Sequence, residues 1–430
     1  MTGTQWTIHR TGGERTGSLY FGQMPENTLE GARAIMELVA SQAIPNPILN
    51  IQCRLLSDGG GVLMHDTTVD ATTTSTGSVT DYTTASWQGL VCDPEVWMAA
   101  PAWAAVKIRP PMLADFLREW GGKVALNVGL YGGYVGVGAA VVAQATALGI
   151  QDTIICGAFA TSELNAAKAG GLRTMYYPPD EGNTGSTAAE ILATNVWAAG
   201  LPKFVGVSAA SSDAYVQSLV SAGLTVHGYF VTTRFQRDRL LGLGCTGIIT
   251  ADPVYVAKTT AIHRSGGADP YTLNAWPAGA LLADQGNGRG VLSANGVRFD
   301  SVNSIYFVVP GSRCPIATPT SYTITASVTF NTIGADATRS AQLILCAPDD
   351  RATSGAPNVG AGIPDSYSFL FRANGNLELY KNTRAGQLNS NSGLAALATT
   401  AVTGGQTVPI TIQVTPTQII VTRTDTGATR

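Results

Sequence analysis

The chain has 430 residues and a formal net charge of −3, with 13% charged residues and twenty arginines against six lysines. That balance offers no basic surface for nucleic acid, and no apolar run approaches the roughly 20 residues that span a bilayer. A chain of this length is expected to hold two domains, each able to bury its own core. No charged, then apolar leader precedes the first strand, and Trp6 to His9 already reads as core, so no cleaved signal peptide is expected. Six cysteines (Cys53, Cys92, Cys156, Cys245, Cys314, Cys346) show no CxxC spacing and read as buried free thiols.

From the N-terminus, strand-like and helix-like segments alternate. Gln5–Arg10 reads as a strand and Glu26–Ser41 as a helix whose buried face carries Leu29, Ala32, Met36 and Val39. Ile48–Leu55 and Gly61–His65 are predicted strands, followed by helix Met112–Trp120 and strand Lys123–Leu130. Helix Val135–Leu148, strand Asp152–Phe159, the segment Ser162–Ala169 and strand Leu172–Tyr177 come next. Helix Thr187–Ala198, strand Lys203–Ser208, segment Ser212–Ala222, strand Thr225–Val231, segment Arg234–Leu243 and strand Gly247–Thr250 complete the series. Eight such units over about 250 residues predict a TIM barrel over residues 1–262, with its chemistry at the C-terminal strand ends.

Residues 263–290, rich in Gly, Ala and Pro, read as a linker, and the pattern then changes to short alternating strands. They are Val291–Phe299, Ser304–Val309, Tyr322–Phe330, Gln342–Cys346, Tyr367–Arg372, Asn376–Tyr380, Val408–Val414 and Gln418–Thr424. With Asn374-Gly375 as a hairpin turn, residues 291–430 are predicted to form an antiparallel β-sandwich for attachment or assembly. The hairpin from Phe369 to Tyr380 resembles concanavalin-type, laminin-G-like carbohydrate-binding sandwiches. Asp425-Thr426-Gly427 looks like a turn with too few residues after it for a return strand, so an open edge along Gln418–Thr424 is expected.

The chemistry-bearing residues lie near the N-terminus. Ile8-His9-Arg10 and Leu63-Met64-His65-Asp66 bracket Pro25-Glu26-Asn27-Thr28, the run from Ile48 to Arg54, and Asp58-Gly59. This order resembles the glycerophosphodiester phosphodiesterase family, as does Leu243-Gly244-Cys245-Thr246-Gly247-Ile248-Ile249-Thr250, with Ala251 where that family's signature ends in Asp. The resemblance implies a barrel in which a divalent ion bridges the phosphodiester oxygens while two histidines, here His9 and His65, serve as general acid and base. It also implies three carboxylate ligands, and those positions here read Asn50, Gln52 and Asn127, with Gly129 in place of a lysine. Asn50 and Gln52 share a strand face. Hard cations are held mainly by carboxylate charge, so no metal and no other cofactor is expected.

Arg10 and Arg54 are candidate phosphate contacts, Glu26 is expected to orient Arg10 or cap the helix it opens, and Asp66 to orient its loop. His227 and His263 read as structural or exposed, and the glycines at 132, 133, 136 and 138 are too irregular for a phosphate loop. Two readings of the histidines stay open. They are relics that pack at the mouth, or they form a metal-free acid–base pair like that of bacterial phosphatidylinositol-specific phospholipases, whose barrel is similar and whose arginine stands in the ion's place.

The altered barrel, appended sandwich, lack of an export signal and arginine bias together resemble minor tail proteins of bacteriophages, in which such barrels occur as modules. That resemblance implies a structural tail-tip protein of the virion, made in the host cytoplasm, that contacts the host surface. Its partners would be other phage tail proteins and a surface glycan or lipid head group, and its expected state is a homo-oligomer, a trimer.

Overall fold

Each βα repeat buries the apolar face of its helix on the outside of a strand, and eight repeats close the sheet on itself. The computed structural model describes residues 3–12, 26–93, 107–131, 135–178, 186–231, 234–251, 253–257, 281–284, 288–293, 296–301, 321–333, 340–346, 366–382 and 393–430. The parallel strands are β1 (Gln5–Ile8), β2 (Pro47–Leu55), β4 (Ala125–Leu130), β5 (Ile154–Ala158), β6 (Arg173–Tyr176), β7 (Phe204–Ser208), β8 (Thr225–Tyr229) and β9 (Gly247–Thr250). β1 pairs with both β2 and β9, which closes a TIM barrel, and β3 (Gly61–Leu63) returns antiparallel along β2. Among the described residues, no helix is long and apolar enough to cross a membrane.

Helix α1 (Leu29–Ser41) illustrates the local logic. Thr28 caps it by accepting a hydrogen bond from Gly31 N at 3.1 Å, a cap worth about 1 kcal/mol. Its buried face carries Ala32, Ile35 and Val39, while Met36, expected there, is half-buried. The helix predicted over 187–198 is shorter, Ala188–Ala193, with Thr187 as its cap.

Because the strands tilt, side chains at one height inside the barrel come from alternate strands. The register gives those layers. A row leaving β1 at Gln5 passes Gly247, His227 and Gly206, and the registers of the remaining pairings bring the stagger around the barrel to eight residues. Ile48, Ile155 and Phe204 make an apolar layer over Gly247. Above it Thr7, Asn127, Met175 and His227 share a layer, with Asn127 Nδ2 3.7 Å from Met175 Sδ. Higher still lie His9, Gly129, Tyr177 and Tyr229, and then Gln52, Phe159, Ser208 and Ala251. Polar residues thus enter the barrel axis from its middle to its mouth.

The chain divides into two compact units, Met1–Arg313 and Cys314–Arg430. The first includes an antiparallel sheet of β10 (Leu281–Asp284), β11 (Gly288–Ser293) and β12 (Gly296–Ser301). The single strand predicted over 291–299 is therefore a hairpin, with Val291 opposite Arg298; the Asn295-Gly296 pair within it favours a reversal. Most of the predicted linker, the predicted strand Ser304–Val309, His263 and Cys314 lie outside the described residues.

In the second unit, β13 (Tyr322–Thr329), β18 (Thr407–Val414), β19 (Ile419–Arg423) and β20 (Ala428–Thr429) form one antiparallel sheet. β14 (Ser340–Leu345), β15 (Ser366–Arg372), β16 (Leu377–Asn382) and β17 (Gly393–Leu397) form another. Phe369, Phe371 and Leu377 of one sheet share a core with Val408, Ile410, Ile412 and Val421 of the other, the packing of a β-sandwich. Gly375 makes the predicted tight turn at φ +91°, where an added Cβ would meet Thr400 O at 2.4 Å.

Two expectations are corrected here. The chain does return along β19, because Ala428 and Thr429 pair with Arg423 and Thr422, and Arg430 exchanges both backbone hydrogen bonds with Val421. The turn residues Asp425–Gly427 are enough for this because Arg423, 1% exposed, holds Asp425 with two hydrogen bonds of 2.8 and 3.0 Å. Cys346 is exposed, at φ +56° just past β14, whereas Cys53, Cys92, Cys156 and Cys245 are buried free thiols.

Candidate functional site

The C-terminal ends of the first strands bring the predicted residues into one network at the barrel mouth. β1 leads into a 3-10 turn, His9–Gly12, in which Arg10 takes φ +47°. That strained backbone turns Arg10 across the mouth, where Nη1 donates to Glu26 Oε2 at 3.0 Å and Nη2 lies 2.8 Å from His65 Nε2. A guanidinium only donates, so His65 Nε2 accepts and Nδ1 carries the ring proton. Nδ1 then donates to Asp66 Oδ1 at 2.7 Å. Asp66 therefore holds the His65 ring itself, not merely its loop, and that hydrogen bond keeps the Asp66 carboxyl below its usual range. Glu26 orients Arg10, and the helix cap falls to Thr28.

β2 supplies the next three residues on one face. Asn50 Oδ1 accepts from Gln52 Nε2 at 2.6 Å and from Arg10 N at 3.4 Å, and Asn50 Nδ2 donates to Asn127 O at 3.1 Å. Gln52 N donates to Asn27 Oδ1 at 3.1 Å, so the Glu26-Asn27-Thr28 segment is sewn to the strand. Arg54 is buried and gives Nε and Nη2 to the carbonyl of His65, at 3.0 and 2.5 Å, while its guanidinium lies 5.8 Å from the centre of the Tyr131 ring. It fixes the backbone that carries His65.

The resemblance implies a divalent ion at Asn50, Gln52 and Asn127, and these residues do not fit one. All three are neutral, and the oxygen of Asn50 is already engaged twice. Gln52 Oε1 and Asn127 Oδ1 are buried acceptors without a hydrogen-bond partner, but two amide oxygens bring no charge to offset a dication's dehydration.

His9 is half-buried, and its Nε2 has no partner. Burial, then the nearby Arg10 and His65, hold its pKa well below the usual histidine value, so it is neutral at physiological pH. His227 is fully buried on the barrel axis, with its pKa pushed down to about 4 by burial. At the N-terminus of α2 (Val137–Leu148) the carboxylate of Glu163 accepts from Gly136 N at 3.2 Å and Gly138 N at 2.7 Å, so the chain's own anion fills that helix end.

The mouth also carries rings that the motifs do not mark. The His65 ring lies 4.8 Å from that of Tyr131, and His9 meets Phe230 edge-on at 6.1 Å. Phe159, Tyr177 and Tyr229 continue the arc from Phe230. Each of these aromatics lies within two residues of the C-terminal end of a predicted strand, which was the available signal. Phe230 sits at φ +56°, a conformation costly for a bulky residue and concentrated at functional sites.

A family profile described as the glycerophosphoryl diester phosphodiesterase family matches residues 20–254. Among solved structures, the chain is similar to a phosphodiesterase from Oleispira antarctica in complex with the product sn-glycerol-3-phosphate, at 21% identity and TM-score 0.47, covering 59% of this chain and 96% of that one. It is also similar to glycerophosphodiester phosphodiesterases from Agrobacterium tumefaciens (18%, TM-score 0.46, 59% and 100% covered) and Galdieria sulphuraria (17%, 0.46, 59% and 96%). No curated protein matches.

Proposed function

The chain belongs to the glycerophosphoryl diester phosphodiesterase family, and from that membership we propose that its barrel is a catalytically retired member, serving a bacteriophage tail protein as a contact to the host surface. The carrying observation is the closed circuit at the mouth. Three amides stand where the resemblance implies carboxylates, and Arg10 occupies the one ring nitrogen of His65 that a general base would need. With no charge to hold a dication, nothing in this set activates water.

The appended sandwich supports an attachment or assembly role. The return of β20 removes the β19 edge from consideration, but β13 is an eight-residue edge strand, and no strand among the described residues pairs with its outer side. Such edges are sites of strand pairing between chains, which supports a homo-oligomer; with the tail assignment we propose that it is a trimer alongside other tail proteins. Mass spectrometry of particles purified from a lysate expressing the gene is expected to find the chain with the virions; recovery only in the soluble fraction contradicts the tail assignment.

A second reading is favoured by His9 and His65 lying close together at the mouth with Arg10 against His65: a metal-independent phosphodiesterase or lyase acting on envelope phosphodiesters. An internal substrate hydroxyl would attack phosphorus and lose its proton to neutral His9. His65, protonated once Arg10 moves off its Nε2, would protonate the leaving oxygen as its bond to phosphorus breaks. In that case turnover is insensitive to chelator and falls about a hundredfold or more in His9→Ala and His65→Ala. Chelator-sensitive turnover, or an active His65→Ala protein, excludes this version.

A further inference from the structure

We infer that the barrel mouth binds a neutral carbohydrate, packing a sugar ring against its aromatic arc and accepting a sugar hydroxyl on the buried amide oxygen of Gln52. This rests on the host-contact reading and specifies its ligand.

The arc is continuous. Phe159 and Tyr177 are tilted by 35° with centroids 5.4 Å apart, Tyr177 meets Tyr229 edge-on at 5.6 Å, Tyr229 meets Phe230 at 5.0 Å, and Phe230 meets His9 at 6.1 Å. Its placement is written into the glycines. A Cβ on Gly206 would come within 2.2 Å of the Tyr177 ring, and one on Gly157 within 2.8 Å. Two strands thus give up their inward side chains so that one ring lies across the mouth. Both ends of the arc stay open, Phe159 at 42% and Phe230 at 47% exposure. Packing alone would bury such rings.

Polar and charged groups complete the case. Gln52 lies in the mouth layer with Phe159 and Ser208. Gln52 is 1% exposed, and its amide oxygen lacks the donor that a buried acceptor requires. A hydroxyl is such a donor; a phosphate oxygen is not. Among the described residues, the charges of the mouth network cancel: Arg10 and Arg54 against Glu26 and Asp66, with Arg10 paired to Glu26 and Asp66 bonded to His65. An anionic head group finds no surplus cation there. A sugar ring offers what remains, an apolar C–H face for the rings and a hydroxyl for the Gln52 amide.

The test is binding of the full chain to immobilised galactose-, mannose- and glucose-terminated oligosaccharides, with sn-glycerol 3-phosphate and phosphocholine as anionic and zwitterionic probes. A neutral sugar is expected to bind, and the Phe159→Ala/Phe230→Ala double variant to weaken it about tenfold or more. Both rings are exposed, so the variant should retain its circular dichroism and melting point. A Gln52→Met variant, which removes the amide oxygen at similar size, gives a second handle if the double variant fails to fold. Binding of the phosphate probes alone, or sugar binding unchanged in both variants, overturns the inference. Adsorption of the protein to host envelopes separates the two readings: envelope binding without sugar binding overturns only the carbohydrate, whereas no adsorption removes the host-contact role as well.

Discussion

Restoring the three carboxylates, as Asn50→Glu, Gln52→Asp and Asn127→Glu together, is expected to make the barrel's stability depend on a divalent ion. All three positions are at most 5% exposed. Three carboxylates gathered there repel one another and lose their hydration, which raises their pKa values and destabilises the fold. Leaving such charge buried and uncompensated costs about 3–5 kcal/mol, a fall in melting temperature of roughly 10 °C for a barrel this size. Millimolar Ca²⁺ or Mg²⁺ supplies the missing charge, and an ion present at a hundred times its dissociation constant returns about 2.7 kcal/mol. The unmodified chain should melt at one temperature in chelator and in either ion. A folded triple variant with no response to metal means that these positions do not converge as the network implies.

Acidification should weaken the fold through His227. An unfolded histidine titrates near 6.5, whereas His227 in the barrel titrates at about 4 because burial disfavours its charged form. Between those values the unfolded chain binds a proton that the folded chain refuses. Stability therefore rises with pH across this window, is lost as pH falls through it, and loses nothing further from this group below about 4. The loss between pH 7 and pH 5 is about 2 kcal/mol. His9 is shifted in the same direction, by burial first, and adds to the loss. Thermal melting at the two pH values, on the unmodified chain and on His227→Asn, separates the contributions. The variant should have a visibly shallower dependence; parallel profiles would assign the acid sensitivity elsewhere.

The barrel was legible because its strands and helices carry different hydrophobic periods, and eight of them in alternation leave few other closures. His9, Arg10, Glu26, Asn50, Gln52, His65 and Asn127 were legible as a set because strand ends share one face of such a barrel. Their wiring was not. That Arg10 caps His65 Nε2 depends on a positive φ at Arg10, which no side-chain pattern announces in a non-glycine residue. The aromatic arc was hidden for a related reason. Phe159, Tyr177, Tyr229 and Phe230 become neighbours through strand register and through the small size of Gly157 and Gly206, not through spacing along the chain. In the sandwich, β17 carries the small residues Gly393, Ala395 and Ala396 and left no strand signal. β20 is two residues long, and its pairing rests on the turn that Arg423 stabilises.

The most direct test of a retired phosphodiesterase is turnover of glycerophosphocholine by the full-length protein, assayed with Ca²⁺, Mg²⁺ and Mn²⁺ in turn and with chelator. The amide triad and the capped His65 lead to one expected result: choline and glycerol phosphate released no faster than in buffer under every condition. Turnover that appears with a divalent ion and vanishes with chelator would contradict the account.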